Sequence, residues 1–170
     1  DASRVMFTAT PFRKDEREIP GQFVYTYPLH RAHEDGIFGD IRFVPVQATS
    51  GAEDAAIARK AQHVLRADQD TGYDHFLMVR TDTRKRADEL AEIYKEHTEL
   101  RLTVIHSGYS YRWVRLRIRD LRAGDLDGII CVDMLGEGFD LPELKVAAIH
   151  VPHKSLPVTL QFIGRFARTG

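Results

Sequence analysis

The feature that most constrains this chain is an alternation, from about Asp40 onward, of short apolar runs with amphipathic stretches of helical period. Ile41, Phe43, Val44 and Val46 read as a strand, and Ile57, Ala61, Val64 and Leu65 then recur at helical spacing. Phe76-Leu77-Met78-Val79 is a continuous apolar run, the pattern of a strand buried on both faces. Ala87, Leu90, Ala91 and Tyr94 follow at i, i+3, i+4 and i+7, a helix stripe. Leu102 to Ile105 is the next strand. Val114, Ile118 and Leu121 mark a helix that Gly124 ends, residues 128–132 and 146–151 give two more strands, and a final helix begins near Ser155. Strands alternating with helices require crossover connections and place helices on both faces of a parallel sheet. The expected fold class is therefore α/β.

The first forty residues break this rhythm. Val5-Met6-Phe7 reads as a strand entering the turn Thr8-Ala9-Thr10-Pro11, a charged loop follows from Arg13 to Arg17, and Phe23-Val24-Tyr25 is another short strand. This gives a division into 1–39, the edge of a preceding domain with a connector, and 40–170, the main domain.

Composition removes most other classes. With 170 residues, 43% apolar and 29% charged, the chain is long enough to bury a core and too apolar for disorder. One Cys excludes a disulfide scaffold and a Cys-built zinc site. No apolar run approaches the ~18 residues of a membrane span, and the first residues do not read as a signal peptide, so a cytoplasmic location without membrane contact is expected. The 24 basic and 25 acidic side chains leave a net charge of −1, which argues against electrostatic coating of nucleic acid but permits a local basic groove.

In α/β sheets ligands bind beyond the carboxyl ends of the strands, so the loops there come first. After Val132 runs Asp133-Met134-Leu135-Gly136-Glu137-Gly138-Phe139-Asp140-Leu141-Pro142. Its glycines permit close backbone approach, and Asp140 offers a carboxylate to a sugar hydroxyl; a plain turn with a solvated acid is the competing reading. In the terminal stretch from Leu160 to Arg168, Gln161, Arg165 and Arg168 share one helical face, while Phe162, Ile163 and Phe166 can anchor it. Two guanidiniums and an amide with no acid among them suit a polyanion such as a triphosphate; a solvated basic face is the alternative.

Order and combination carry more than either loop. Thr8-Ala9-Thr10-Pro11, Phe76 to Thr81, His106-Ser107-Gly108, Glu137 to Pro142 and Gln161 to Arg168 occur in the sequence of motifs III, IV, the HSG-type element, V and VI. Nearly the whole chain thus resembles the second half of a superfamily 2 helicase motor. Arg119 to Gly124, followed by the loop ending at Glu143, is similar to the DNA-acting branch that includes the UvrB-like excision-repair proteins and the restriction-enzyme motor subunits. DEAD-box RNA helicases carry a different motif V and begin motif VI with His, where this chain has Gln161.

That resemblance implies a RecA-like three-layer αβα domain with a predominantly parallel sheet. It implies ATP with Mg2+ as cofactor, held mainly by a first RecA-like domain of the same polypeptide, because this sequence contains no GxxxxGK[ST] and no DEAD or DEAH box. Arg165 and Arg168 would be arginine fingers, Gln161 would sense the phosphates, and Gly138 and Asp140 would line the ribose side. Arg80, Thr81, His106, Ser107, Asp133 and Met134 would contact a nucleic-acid backbone, DNA rather than RNA. Thr8, Ala9 and Thr10 would couple nucleotide state to strand movement. The family pattern also implies that the domain is cut short after motif VI and is inactive as an ATPase alone. A non-catalytic docking or regulatory module in a DNA repair or restriction complex is the second reading.

The remaining residues receive plainer readings. Cys131 is a buried strand residue, and His150 and His153 are structural. Trp113 packs on the core or a helix surface rather than on a base, and the basic run from Arg112 to Arg122 is a solvated face. His30, His33 and Glu34 share a helix surface but lack further metal ligands, and no metal site is expected.

Overall fold

The computed structural model describes residues 25, 29–37, 39–132 and 141–150. The chain divides into two compact units, Asp1–Asp40 with His153–Thr169 and Ile41–Pro152. In the first, the described residues form the short helix α1 (Leu29–Glu34), which closes on hydrogen bonds from the Asp35 and Gly36 amides to the carbonyls of Arg31 and His33.

The second unit runs α2 (Glu53–Asp70), β1 (Phe76–Thr81), α3 (Arg84–His97), β2 (Leu102–Ile105), α4 (Tyr111–Arg122), β3 (Gly128–Val132) and β4 (Leu144–Ile149). Its four strands form one sheet in the order β2-β3-β1-β4, and every neighbouring pair is parallel. The α/β expectation holds, and with it the reading of Phe76-Leu77-Met78-Val79 as a strand buried on both faces.

Strand alternation assigns the two faces. Leu77, Val79, Ile130, Val146 and Ala148 pack with Ala58, Ala61 and Leu65 of α2 and with Ala87, Leu90 and Tyr94 of α3. The opposite face carries the buried Met78, Ile129, Cys131 and Ile105, and α4 buries Val114 and Leu121. Cys131 is a buried strand residue, as its sequence suggests. Gly128 is required at the sheet's amino edge. A Cβ there would drive into the Leu77 carbonyl oxygen and lie 2.8 Å from the Leu77 Cβ.

That edge is tied by Asp127, which is 3% exposed. Its carboxylate accepts from the Arg101 amide at 2.8 Å, from Arg101 Nε at 3.1 Å and from Arg66 Nη1 at 2.9 Å. Burial alone would raise the Asp127 pKa, but these donors outweigh it and hold the carboxyl below its ordinary value.

Local chemistry sets the helix limits. Thr83 caps α3 by accepting from the Arg86 amide at 3.2 Å, and Ser110 caps α4 by accepting from the Trp113 amide at 3.3 Å. Gly124, at φ 78°, ends α4 in the left-handed conformation. Its amide bonds the Leu121 carbonyl, and the Asp125 amide bonds that of Asp120.

Two expectations change. Residues 41–46 form no strand: Phe43 is 83% exposed and Ile41 54%, so no described element covers either side chain, and Pro45 lacks the N–H a ladder needs. The last strand spans Leu144–Ile149 rather than 146–151, because its pairing with β1 starts at Leu144 opposite Phe76. The expected strands at Val5-Met6-Phe7 and Phe23-Val24 and the helix near Ser155 lie outside the described residues. Among the described residues no helix is long and apolar enough to cross a membrane.

Candidate functional site

Because the strands are parallel, β1 and β2 deliver Arg80-Thr81 and His106-Ser107 to the same carboxyl edge. The four residues present themselves differently. Arg80 is 6% exposed and Thr81 is fully buried, whereas His106 is half-buried and Ser107 exposed. Thr81 Oγ1 makes no hydrogen bond among the described groups. The two strand ends are joined by Arg84, the first residue of α3, whose Nη2 donates to Ser107 Oγ at 3.2 Å.

The loop after β2 is rigid for chemical reasons. His106 Nδ1 accepts from the Gly108 amide at 3.0 Å, which leaves the ring proton on Nε2 in the neutral imidazole. A Cβ on Gly108 would sit 2.9 Å from His106 Cε1, so a larger residue would have to displace the imidazole. His106 stacks on Tyr109 at 4.1 Å between centroids, and Tyr109 stacks on Trp113 at 4.0 Å. This ring column fixes the first turn of α4 against the end of β2. Trp113 therefore packs on a helix surface, as its sequence context suggests.

The electrostatics of this edge differ from those of the whole chain. α3 and α4 both begin here, and neither has an acidic residue in its first turn. Their first turns carry Arg84, Lys85, Arg86 and Arg112 instead, which add to the positive ends of the two helix dipoles. Arg86 is neutralised by Asp54 and Glu89, while Arg84 spends its contact on a hydroxyl. Lys85 is likewise paired with Glu89 and Asp82 lies exposed beside β1, so Arg84 and Arg112, with the two helix N-termini, are what this edge offers an anion.

Beneath the rim lies a buried relay. Tyr94 Oη donates to His150 Nε2 at 3.1 Å, His150 Nδ1 donates to Asp54 Oδ1 at 2.7 Å, and Arg86 pairs with the other oxygen of Asp54. The His150 amide also bonds the Arg80 carbonyl at 3.3 Å, which links the relay to the end of β1. Burial depresses the His150 pKa despite Asp54, so the imidazole is neutral at pH 7. Burial pushes Asp54 up, but the hydrogen bonds from His150 and Arg86 win and leave it lowered. Burial pushes the Tyr94 hydroxyl far upward, so it stays a donor. His150 is structural, as read from the sequence. Its partners Asp54, Arg86 and Tyr94 carry no local signal that would have joined them to it.

Asp133, Met134, Gly138, Asp140, Gln161, Arg165 and Arg168, with Thr8, Ala9 and Thr10, lie outside the described residues. Among the described residues no group of three or more His, Cys, Asp or Glu side chains is arranged to hold a metal ion, and His33 bonds Asp40 at 3.0 Å.

A four-stranded parallel sheet flanked by helices defines a RecA-like α/β domain. Residues 59–170 match the helicase conserved C-terminal domain, and the chain belongs to that family. Its fold is shared by the yeast DEAD-box splicing factor Prp28, with a TM-score of 0.54 at 20% identity over 66% of this chain and 24% of that one. It is shared too by Mss116p DEAD-box helicase domain 2 bound to an RNA duplex, with a TM-score of 0.54 at 18% identity over 69% of this chain and 46% of that one. In sequence the chain is similar to UvrABC system protein B of Klebsiella pneumoniae, at 35% identity over 103 residues. That match takes in 58% of this chain and 15% of the relative, so the chain spans about one-seventh of that protein's length.

Proposed function

We propose that this chain is the second motor domain of an ATP-dependent DNA helicase or translocase. It would complete an ATP site and part of a nucleic-acid track together with an N-terminal RecA-like domain of the same polypeptide, in the cytoplasm. The observation that carries this reading is the carboxyl edge, where α3 and α4 open without acids in their first turns and Arg84 ties the ends of β1 and β2 together. Phosphate oxygens find there helix-terminal amides, hydroxyls and guanidiniums, the donors that position a strand without reading its sequence.

The division of chemistry follows from what the sequence contains. The phosphate loop and the Mg2+-binding acids belong to the first domain, so Mg2+-ATP is held mainly there and this chain alone turns over no ATP. Arg165 and Arg168 stabilise charge on the transferring phosphoryl group, and Gln161 senses it. Gly138 and Asp140 face the ribose. Arg80, Thr81, His106, Ser107, Asp133 and Met134 follow the nucleic-acid backbone, with Arg80 and Thr81 acting from beneath the surface. Thr8, Ala9 and Thr10 couple nucleotide state to strand movement. The similarity of Arg119 to Gly124 and of the loop ending at Glu143 to the DNA-acting branch supports DNA as the partner.

The test compares ATP turnover by the chain alone, by the chain joined to a first motor domain, and by the joined protein with added single-stranded DNA or RNA. The reading expects turnover only in the joined protein and stronger stimulation by DNA. Turnover by the chain alone, or stimulation by RNA only, would overturn it. A joined protein without turnover would favour the non-catalytic docking module.

A further inference from the structure

The exposed side of α4 is not absorbed by the carboxyl-edge site. The helix YRWVRLRIRDLR carries Arg112, Arg115, Arg117, Arg119 and Arg122 against one acid, Asp120. Arg112, Arg115, Arg119 and Arg122 recur at i, i+3, i+7 and i+10, which is a single stripe. With Trp113 and Leu116 they line an open concavity of about 890 Å³. Asp120 engages Arg117 at 2.8 Å and Arg119 at 3.4 Å, and Glu143 reaches Arg122 at 3.6 Å. Arg112 and Arg115 face no carboxylate among the described residues, and Arg115 lies over the Tyr111 ring at 5.8 Å.

This arrangement is unfavourable for a bare helix. Like charges at i, i+3 and i, i+4 repel along the stripe, and Arg112 sits at the positive end of the helix dipole with no acid in the first turn. A solvated face of ordinary composition mixes signs, as α3 does with Lys85–Glu89 and Lys95–Glu92. A bound polyanion would remove the repulsion. The stripe runs over eleven residues, about 15 Å along the helix axis, long enough to meet several phosphates of one strand. Because α4 follows β2 and runs back antiparallel to the strands, the stripe starts at the carboxyl rim and leads away from it.

We propose that the Arg112–Arg115–Arg119–Arg122 face of α4 is an accessory nucleic-acid surface that guides a phosphodiester strand off the carboxyl edge and along the side of the domain. The partner class rests on the function proposed above; the path along α4 does not belong to it. Contacts are to phosphates, so binding is independent of sequence and steeply dependent on salt. The ring column of His106, Tyr109 and Trp113 holds the first turn of α4 rigid and keeps Arg112 at the rim.

Fluorescence anisotropy of the 170-residue chain with a labelled 20-nucleotide single-stranded DNA, over a series of salt concentrations, tests this. Substituting Arg112→Gln, Arg115→Gln and Arg119→Gln together should weaken binding at least tenfold at low salt and flatten the slope of log K against log salt by about two, at roughly 0.7 per phosphate contact. Arg112→Gln alone should flatten it by about 0.7. The matching Arg→Lys triple should keep the slope, and Lys95→Gln at the far end of α3 should change nothing. A triple Gln variant that binds with the original slope overturns the α4 path and leaves the carboxyl-edge reading standing. No binding by the unaltered chain overturns both. Displacement of the DNA by poly-glutamate of equal charge as readily as by unlabelled DNA overturns the assignment to nucleic acid and points to an acidic protein.

Discussion

Replacing Tyr94 by Phe isolates the hydrogen bond that closes the buried relay. Tyr94 is 1% exposed among Leu77, Leu90 and Ala148, and Phe keeps the ring and its packing. What disappears is the hydroxyl that donates to His150 Nε2 at 3.1 Å, leaving a fully buried acceptor without a donor. An unsatisfied buried group of this kind costs about 1–3 kcal/mol, against a smaller net value for the bond itself. Taking about 2 kcal/mol, and about 2–4 °C per kcal/mol for a chain of this size, Tm should fall by about 6 °C. Urea unfolding followed by circular dichroism should show a lower midpoint at an unchanged m-value, because the same surface is exposed on unfolding. A variant melting within a degree of the parent would refute the claim that this relay holds β4 to α2 and α3.

The remaining predictions follow the same physics. Gly128→Ala should be the costliest small substitution in the sheet, about 3 kcal/mol, since the added methyl meets the Leu77 carbonyl rather than a mobile side chain; an equilibrium unfolding curve like the parent's would contradict the packing. Stability should fall in two stages on acidification. His150, Asp54 and Asp127 all have folded pKa values below their ordinary ones, so the unfolded chain takes up each proton first. Their contributions are complete above the unfolded pKa and are lost as pH falls, from about 6.5 for His150 and from about 3.9 for the two carboxylates. Denaturant titrations from pH 8 to pH 3 check this, and a flat profile between pH 7 and pH 5 would exclude a buried neutral His150.

Local pattern carried most of the main unit. β2 spans Leu102–Ile105 as the apolar run suggests, α3 buries Ala87, Leu90 and Tyr94 from its stripe, and Gly124 ends α4. Residues 41–46 misled because alternation states what a strand would bury and says nothing of whether a partner strand exists. At the carboxyl edge, the residues after β1 and β2 were legible because parallel strands must end together. The Arg84–Ser107 contact and the relay were not legible, since they join side chains 23, 56 and 96 positions apart. The basic run of α4 is exposed, as expected of a solvated face; only the fold shows that its arginines start at the rim.

The most direct test of the central claim is DNA-stimulated ATP turnover by a protein that joins this chain to a first motor domain, with Arg165 intact and as Arg165→Ala. If the guanidinium completes the neighbour's triphosphate site, kcat should fall on the order of a thousandfold while DNA binding persists. Turnover preserved in the variant would mean that Arg165 does not serve that site, and the motor assignment would fall.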